Sequence, residues 1–282
     1  MQRRRFLTHA AAALPLMGAL PASAAALTPG QAGATQTTEL PDDARAGRID
    51  KPGLYELRIY RLHQGPQGGK LDQWFTQRAI PLHQKHGFAP MGFFHVSIGE
   101  FTPRLIQVIA YRSLAEREAR WNALEADADW NAINDELAAD LSQPAFDDLE
   151  VRFLKGLPFT PAWEATPEDK KHKIYEIRTY QANSERQLRV LTHRFASGEV
   201  DVFHRSGFFP VLFSHEIAGP MMPNLTYLIP FDSIEARDEQ WGKFGRDPQW
   251  KTLLDESIRL GGDVIRQVTN YILSPTSYSA LR

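Results

Sequence analysis

The stretch that decides the fold is the hexapeptide YELRIY at residues 55–60, which returns 120 residues later as YEIRTY at residues 175–180. The match continues beyond both hexapeptides without a gap. Residues identical in both copies include His95 and His215, Ser113 and Ser233, Arg117 and Arg237, Trp121 and Trp241, and Trp130 and Trp250. A 120-residue period is too long for a solenoid repeat. The chain is therefore predicted to be a tandem duplication of a small domain.

Each copy has the same predicted order of elements. The alternating stretch LYELRIY indicates a strand, residues 70–86 have helical spacing, and Gly87 suits a helix C-cap. Pro81 should kink that helix. Two further strands follow, then a capping box (Ser113-x-x-Glu116) opens a helix pair, and residues 146–154 close the copy as a strand. This β-α-β-β-α-β order is the ferredoxin-like arrangement.

The predicted fold class is therefore α+β, with two tandem ferredoxin-like domains at residues 52–154 and 173–274 and a linker at 155–172. A four-stranded sheet with helices on one face leaves its other face open. Two such domains can cover both open faces by packing sheet on sheet. The sequence thus predicts a fused dimeric α/β-barrel.

Residues 1–24 have the pattern of an export signal. Arg3, Arg4 and Arg5 precede a modest apolar stretch and the small-x-small motif Ala22-Ser23-Ala24. The arginines before Phe6-Leu7 resemble a twin-arginine signal, and an ordinary secretory signal is the alternative. Residues 25–51 lack apolar periodicity and are predicted to be a flexible tether. These features predict a periplasmic protein.

Composition excludes several classes of function. The 282 residues contain no cysteine, which removes thiolate metal sites and cysteine nucleophiles. The formal net charge of −2 argues against nucleic-acid binding. No apolar run reaches the roughly 18 residues of a membrane span. Nucleotide-binding glycine motifs and a G-x-S-x-G elbow are missing from the sequence. We therefore predict no cofactor, no nucleic-acid partner and no integral membrane segment, and leave a homo-oligomer open.

The repeated stretches resemble the NIPSNAP family of the dimeric α/β-barrel superfamily. The resemblance is carried by YELRIYRLHQGPQGGKLDQWF, IPLHQKHGF, VIAYRSLAERE and the segment 127–130, and it extends over residues 54–154 and 174–274. It implies the barrel fold. It leaves the chemistry open, since relatives in the superfamily include cofactor-free monooxygenases, haem-degrading enzymes and stress-responsive proteins.

Alternation in the hexapeptides places Glu56, Arg58 and Tyr60 on one face of the strand and apolar side chains on the other. With the apolar face assigned to the helices, the polar face should line the interior between the sheets. The predicted ligand-binding residues are Glu56, Arg58, Tyr60, Glu176, Arg178, Tyr180 and Arg152. One interpretation makes them ion pairs that hold the two sheets in register, because buried charges need partners. The other makes them a polar pocket in which Arg58 and Arg178 bind a carboxylate or an enolate.

Histidines supply the remaining candidates. His95 and His215 recur on a predicted strand and are candidate catalytic acids or bases, with hydrogen-bonded core residues as the alternative. His83 and His86 lie three apart, but copy two does not repeat them and no carboxylate joins them at metal-ligand spacing. They are interpreted as solvated residues at a helix end, and no metal site is predicted. The tryptophans are predicted to be core residues.

Two classes of function follow from these features. The first is an exported protein that binds a small apolar or amphipathic ligand, or a protein partner, in the inter-sheet interior. The alternative is a cofactor-independent monooxygenase or isomerase acting on an enolisable aromatic or ketone. An asymmetric pocket would favour the enzyme, whereas a symmetric, filled interior would favour binding or a structural role.

Overall fold

The computed structural model describes residues 47–140, 142–170 and 174–282. The predicted signal peptide and all but the last five residues of the predicted tether lie outside these ranges. Within the tether's last residues, Ile49 is buried and pairs through its backbone with Trp163. The ordered fold therefore begins before residue 52. No helix in the described ranges is long and apolar enough to cross a membrane.

Each copy contributes four strands and four α-helices to the described part of the chain. The strands are β1 (Leu54–Arg61), β2 (Gly92–Ile98), β3 (Arg104–Tyr111), β4 (Asp148–Gly156), β5 (Ile174–Gln181), β6 (Leu212–Ala218), β7 (Asn224–Phe231) and β8 (Gln267–Pro275). The α-helices are α1 (Gln67–Trp74), α2 (Ile80–Lys85), α3 (Leu114–Glu125), α4 (Ala128–Ala138), α5 (Glu185–Arg194), α6 (Val200–Ser206), α7 (Ile234–Arg246) and α8 (Pro248–Gly261). We call the first copy, residues 54–156, lobe 1 and the second, residues 174–275, lobe 2.

The strands close into one antiparallel barrel in the order β1-β3-β2-β8-β5-β7-β6-β4. Two seams join the lobes, β2 with β8 and β4 with β6. At these seams His95 lies opposite Ser274, and Lys155 lies opposite His215. Closure pairs strands that would otherwise be exposed edges of two separate sheets. The predicted fused barrel is confirmed.

The barrel interior is mainly apolar. Tyr55, Leu57 and Ile59 of β1 point into it, as do Tyr175 and Ile177 of β5, and they form one buried cluster. The sequence-based orientation of the hexapeptides is therefore wrong. Alternation separates the two faces of a strand but does not say which face meets the helices. Here the apolar face fills the closed interior, and the polar face lies under the helices.

Matching π-helical turns, Phe75–Ala79 and Phe195–Glu199, interrupt the first helix of each lobe. The first turn joins α1 to α2, and Pro81 lies at the start of α2, directly after the π-helical turn. Helix α3 is N-capped by Ser113, whose hydroxyl accepts a hydrogen bond from the backbone N–H of Glu116.

The segment that leaves the last strand of each lobe packs against the other lobe. After β4, Phe159 stacks on Phe195 of lobe 2, with ring centroids 6.4 Å apart. After β8, Tyr278 stacks on Phe75 of lobe 1 at 6.3 Å, and its hydroxyl donates to Asp72 at 2.5 Å. These two aromatic contacts join the lobes outside the barrel seams.

Candidate ligand-binding site

Glu56 is fully buried between the sheet and helix α3. It accepts hydrogen bonds from Arg58 Nη1 (2.8 Å), Arg117 Nε (3.0 Å), Trp121 Nε1 (3.2 Å) and the Tyr111 hydroxyl (3.2 Å). Burial alone would raise the pKa of Glu56, but Arg117 and Arg58 outweigh that effect and lower it. The carboxylate is therefore charged and holds two guanidinium groups in place.

Lobe 2 repeats this arrangement. Glu176 is also fully buried and accepts from Arg178 Nη1 (3.0 Å), Arg237 Nε (2.8 Å) and Trp241 Nε1 (3.1 Å). Asn270 adds a further donor at 3.1 Å. The duplicated hexapeptide thus anchors the helix layer to the sheet in both lobes, which agrees with the ion-pair interpretation but places the pairs outside the barrel.

Arg58 is oriented by two neighbours besides Glu56. Its Nε donates to the Tyr60 hydroxyl at 3.2 Å, and its guanidinium carbon lies 4.6 Å from the centre of the Trp121 ring. The Tyr60 hydroxyl in turn donates to Gln107 Oε1 at 3.2 Å. Nε and Nη1 of Arg58 are therefore both hydrogen-bonded, whereas its Nη2 makes no hydrogen bond to the described residues.

Beside Arg58 lies a cavity of about 200 Å³ between the sheet of lobe 1 and its helices. It is mostly aromatic, with a few polar groups. Its lining residues are Arg58, Tyr60, Trp74, Phe75, His83, Gln107, Trp121, Trp130, Asn134, Leu137, Phe146 and Leu149. Ligand sites of globular proteins commonly combine such an apolar lining with a few placed polar groups. A cavity near 150 Å³ is enough for a benzene ring, so this one can hold a single substituted ring.

His83 is the buried imidazole among the residues that line the cavity. The side chain is buried, and Nδ1 lies 2.7 Å from the Ala79 carbonyl oxygen, a pure acceptor. Nδ1 must therefore carry the hydrogen. Burial lowers the pKa of His83 to about 4, so the ring is neutral at pH 7 and Nε2 is a hydrogen-bond acceptor. Nε2 has no partner among the described residues.

The corresponding space in lobe 2 is occupied by larger side chains. Phe203 takes the position of His83, Tyr227 that of Gln107 and Phe244 that of Leu124. Phe203 packs on Tyr227 at 5.7 Å and on Phe244 at 5.1 Å. The two lobes therefore share the fold and the buried ion pairs but differ in this cavity, so the site is asymmetric.

The other predicted site residues lie elsewhere. His95 Nε2 is 3.1 Å from Asp72 Oδ2, and His215 Nε2 is 2.8 Å from Thr192 Oγ1. Neither histidine lines the cavity, and their catalytic role stays a prediction. Arg152 faces the barrel interior as predicted, where it lines a small space of about 20 Å³ and pairs with Glu150 at 2.6 Å.

The interpretation of His83 as a solvated residue is wrong, because helix α2 turns its ring into the lobe 1 core. Its neighbour His86 is partly buried, and its Nε2 lies 2.7 Å from Asp127 Oδ2. Comparison of the two copies could have shown that position 83 is buried. Copy two has Phe203 at the position of His83, and a phenylalanine at helical spacing marks a buried position. In the parts of the chain that the structure describes, no group of three or more metal-ligating side chains occurs.

The fold and the site define a fused α/β-barrel of two ferredoxin-like lobes, with a cavity in lobe 1. The chain belongs to the NIPSNAP family, whose model matches it twice, at residues 55–161 and 175–280. A NIPSNAP family protein from Agrobacterium tumefaciens is 26% identical, with 38% of this chain and 96% of that chain covered and a TM-score of 0.34. No curated protein matches this chain.

Two longer similarities show the shared fold. A protein from Fusobacterium nucleatum, provisionally named a monooxygenase, has a TM-score of 0.53 at 7% identity, with 80% of this chain and 93% of that chain covered. A protein from Lactobacillus acidophilus with the same provisional name has a TM-score of 0.52 at 10% identity, with 80% and 94% covered. At these identities the comparison extends to the fold alone.

Proposed function

We propose that this NIPSNAP protein binds one small aromatic molecule in the lobe 1 cavity. The observation that carries the proposal is an aromatic cavity lined by His83, a buried side chain whose Nε2 has no partner among the described residues. A buried polar atom without a partner is costly, and a ligand that supplies a donor removes that cost. The ligand should therefore carry a hydroxyl or N–H group that donates to Nε2.

Aromatic rings on several sides of the cavity support a planar ligand. Trp121 and Trp130 both pack perpendicular to the His83 ring, with centroids 5.8 and 5.2 Å away. Trp74 completes this part of the lining, and its own N–H is already bonded to the Ile133 carbonyl at 3.1 Å. Flat rings packed edge to face on other rings gain stability beyond area burial. This favours a ring over a flexible chain as the occupant.

The test is a fragment screen read by tryptophan fluorescence. Three tryptophans line the cavity, so an occupant should change their emission. Small phenols and anilines should bind the full chain, and His83→Phe should abolish binding because it introduces the lobe 2 residue. The matched control is His204→Phe, at an exposed position next to Phe203. Equal binding by His83→Phe and wild type would contradict the proposal.

A second candidate function rests on the pairing of His83 with Arg58. Both groups line the same cavity. Nε2 could accept a proton from a hydroxyl or from a carbon next to a carbonyl, and Arg58 would stabilise the resulting enolate, as a cofactor-independent isomerase or monooxygenase requires. An imidazole with a pKa of about 4 is a weak base, so we propose ligand binding ahead of catalysis. Exchange of the ligand's carbon-bound hydrogen with deuterated water, lost in His83→Phe, would support the enzyme.

Export is a separate part of the proposal. It is supported by the arginine-rich start and by the motif Ala22-Ser23-Ala24. The protein would then meet its ligand in the periplasm. Native mass spectrometry of protein purified from that compartment tests both points together, because it reports the mature mass and any retained small molecule.

A further inference from the structure

Trp163 packs against lobe 1 at the end of the barrel where β1 begins. Its indole Nε1 donates to the Pro90 carbonyl oxygen at 2.6 Å, and its ring lies edge to face with that of Tyr55, with centroids 5.6 Å apart. The backbone of Trp163 also pairs with Ile49 through hydrogen bonds of 2.9 and 2.8 Å. Lobe 1 therefore holds a buried indole that a segment of the chain carries to it.

Lobe 2 has the same two partners around a cavity. Pro210 and Tyr175 are the repeat counterparts of Pro90 and Tyr55, and both line a cavity of about 330 Å³. Trp163 forms another part of the wall, so the cavity is continuous with the contact between Trp163 and lobe 1. No donor among the described residues bonds to the Pro210 carbonyl oxygen. Because a cavity of about 150 Å³ holds a benzene ring, this one has room for an indole.

The residue that corresponds to Trp163 in the segment after β8 is Arg282, and it does not line the cavity. Leu157 N donates to a carbonyl oxygen of β6, and Thr276 N donates to the equivalent carbonyl oxygen of β2, both at 2.9 Å. Trp163 and Arg282 each lie six residues beyond these matched positions. The Arg282 guanidinium bonds to Glu168 at 2.9 Å instead. Lobe 1 thus receives an indole from this chain, and the matching segment brings none to the lobe 2 cavity.

We infer that the lobe 2 cavity binds a tryptophan side chain carried by a segment of a partner protein. The indole N–H of that tryptophan donates to the Pro210 carbonyl oxygen, as Trp163 donates to that of Pro90. This site is separate from the lobe 1 cavity and does not depend on the ligand proposed there.

Four prolines in the wall of the lobe 2 cavity favour an occupant that brings its own donors. Pro161, Pro167, Pro210 and Pro230 have no backbone N–H, so the wall has no main-chain donor at these positions. An indole N–H and the backbone N–H groups of a bound segment are donors of the matching kind. Tryptophan is also among the residues enriched at the energetic centres of protein interfaces.

The rim of the cavity favours a chain segment over an enclosed small molecule. Phe209 lines the cavity and is 62% exposed, although it is a large apolar side chain. Its ring stacks on that of His204, with centroids 5.5 Å apart. Lobe 1 has the buried Ala89 at this position. Phe209 therefore offers apolar surface to the residues that flank a bound tryptophan.

The test uses a fluorescein-labelled peptide with capped ends and the sequence of residues 160–166, TPAWEAT, which carries the tryptophan that lobe 1 holds. Binding to the full chain is measured by fluorescence polarisation. Replacing the peptide's tryptophan with alanine should weaken binding at least about ten-fold, as for a residue at the centre of an interface. Replacing it with 1-methyltryptophan removes the N–H and should weaken binding about two- to ten-fold. Unchanged affinity of the methylated peptide would overturn the contact with Pro210.

A matched pair of variants tests the place of binding. Phe209→Ala should weaken peptide binding about five-fold or more. Phe101→Ala removes a side chain that is 67% exposed in the hairpin between β2 and β3, and should leave peptide binding unchanged. Thermal melts establish that both variants are folded.

Three results would overturn the inference. The first is no binding of the tryptophan peptide to wild type, or equal binding of the alanine peptide. The second is an equal loss of affinity in the two phenylalanine variants. The third is binding of free N-acetyltryptophanamide as tight as that of the peptide, which would make the cavity a small-molecule site.

Discussion

Phe203 occupies in lobe 2 the position that His83 holds in lobe 1. His83 lies 4.8 Å from the ring of Phe88 and 5.8 Å from that of Trp121, and Phe203 lies 5.1 and 5.9 Å from the corresponding rings of Phe208 and Trp241. These two neighbouring rings are thus placed alike in both lobes, whereas the central ring differs. One lobe keeps a polar atom in an aromatic cavity, and the other replaces it with a hydrocarbon ring.

His83 should make stability depend on pH. Its pKa is about 4 in the folded protein against an ordinary value of 6.5, so the unfolded chain binds the proton more tightly. The stability that neutral His83 contributes to the fold is fully present above pH 6.5 and is lost as the pH falls toward 4. A difference of this size amounts to roughly 3 kcal/mol. Urea unfolding between pH 4 and 7 should show a steeper loss for wild type than for His83→Phe.

The control for that measurement is the exposed histidine of helix α5, His193, changed to glutamine. This variant should keep the pH dependence of wild type. If His83→Phe and wild type lose stability in parallel between pH 6.5 and 4, His83 is not buried in its neutral form.

Glu56 should stabilise the folded protein far more than a surface carboxylate does. Glu56→Ala removes the acceptor that Arg58 and Arg117 share and leaves both charges without it. Breaking a buried pair in this way costs on the order of 3–5 kcal/mol. Glu118→Ala, at an exposed position of α3, should change the free energy of unfolding by no more than about 0.5 kcal/mol. Similar losses for the two variants in urea titrations would argue against the buried network.

Neither lobe should be stable alone. Residues 52–154 expressed separately would expose the apolar strand face that now fills the barrel, including Leu57 and Ile59. Large exposed apolar surfaces drive association. Analytical ultracentrifugation should show a dimer or larger species, in which two copies rebuild the missing seams. A stable, folded monomer would contradict the fused-barrel account.

Export should depend on the arginines at the start of the chain. Replacing Arg3, Arg4 and Arg5 with lysine keeps the positive charge but should stop export, if the twin-arginine prediction is right. Replacing Arg45 and Arg48, downstream of Ala22-Ser23-Ala24, should have no effect. Normal accumulation of the first variant in the periplasm would leave ordinary secretion as the route.

The fold could be predicted from the sequence because its main signals are local and repeated. Alternation in YELRIY indicates a strand, the gapless repeat indicates two equal lobes, and strand order within a lobe follows from the succession of elements. The direction of the polar face could not be predicted in this way. It depends on Arg117 and Trp121 of helix α3, which reach Glu56 from 61 and 65 residues away.

The candidate site was predictable only in part. Arg58 and Tyr60 were identified because the repeat preserves them. His83 was missed because it breaks the repeat, and the cavity exists where the copies differ. A search for identical pairs finds what both lobes need for folding, such as the Glu56 and Glu176 networks. A function confined to one lobe lies instead in pairs such as His83 with Phe203 and Gln107 with Tyr227.

The most direct test of the central claim is the number of ligands bound per chain. Native mass spectrometry of the full chain with a small phenol that binds it should show one ligand on wild type. The variant His83→Phe, Gln107→Tyr, which gives lobe 1 two lobe 2 residues, should show none. Two ligands per wild-type chain, or one ligand still bound to the variant, would contradict a single binding cavity in lobe 1.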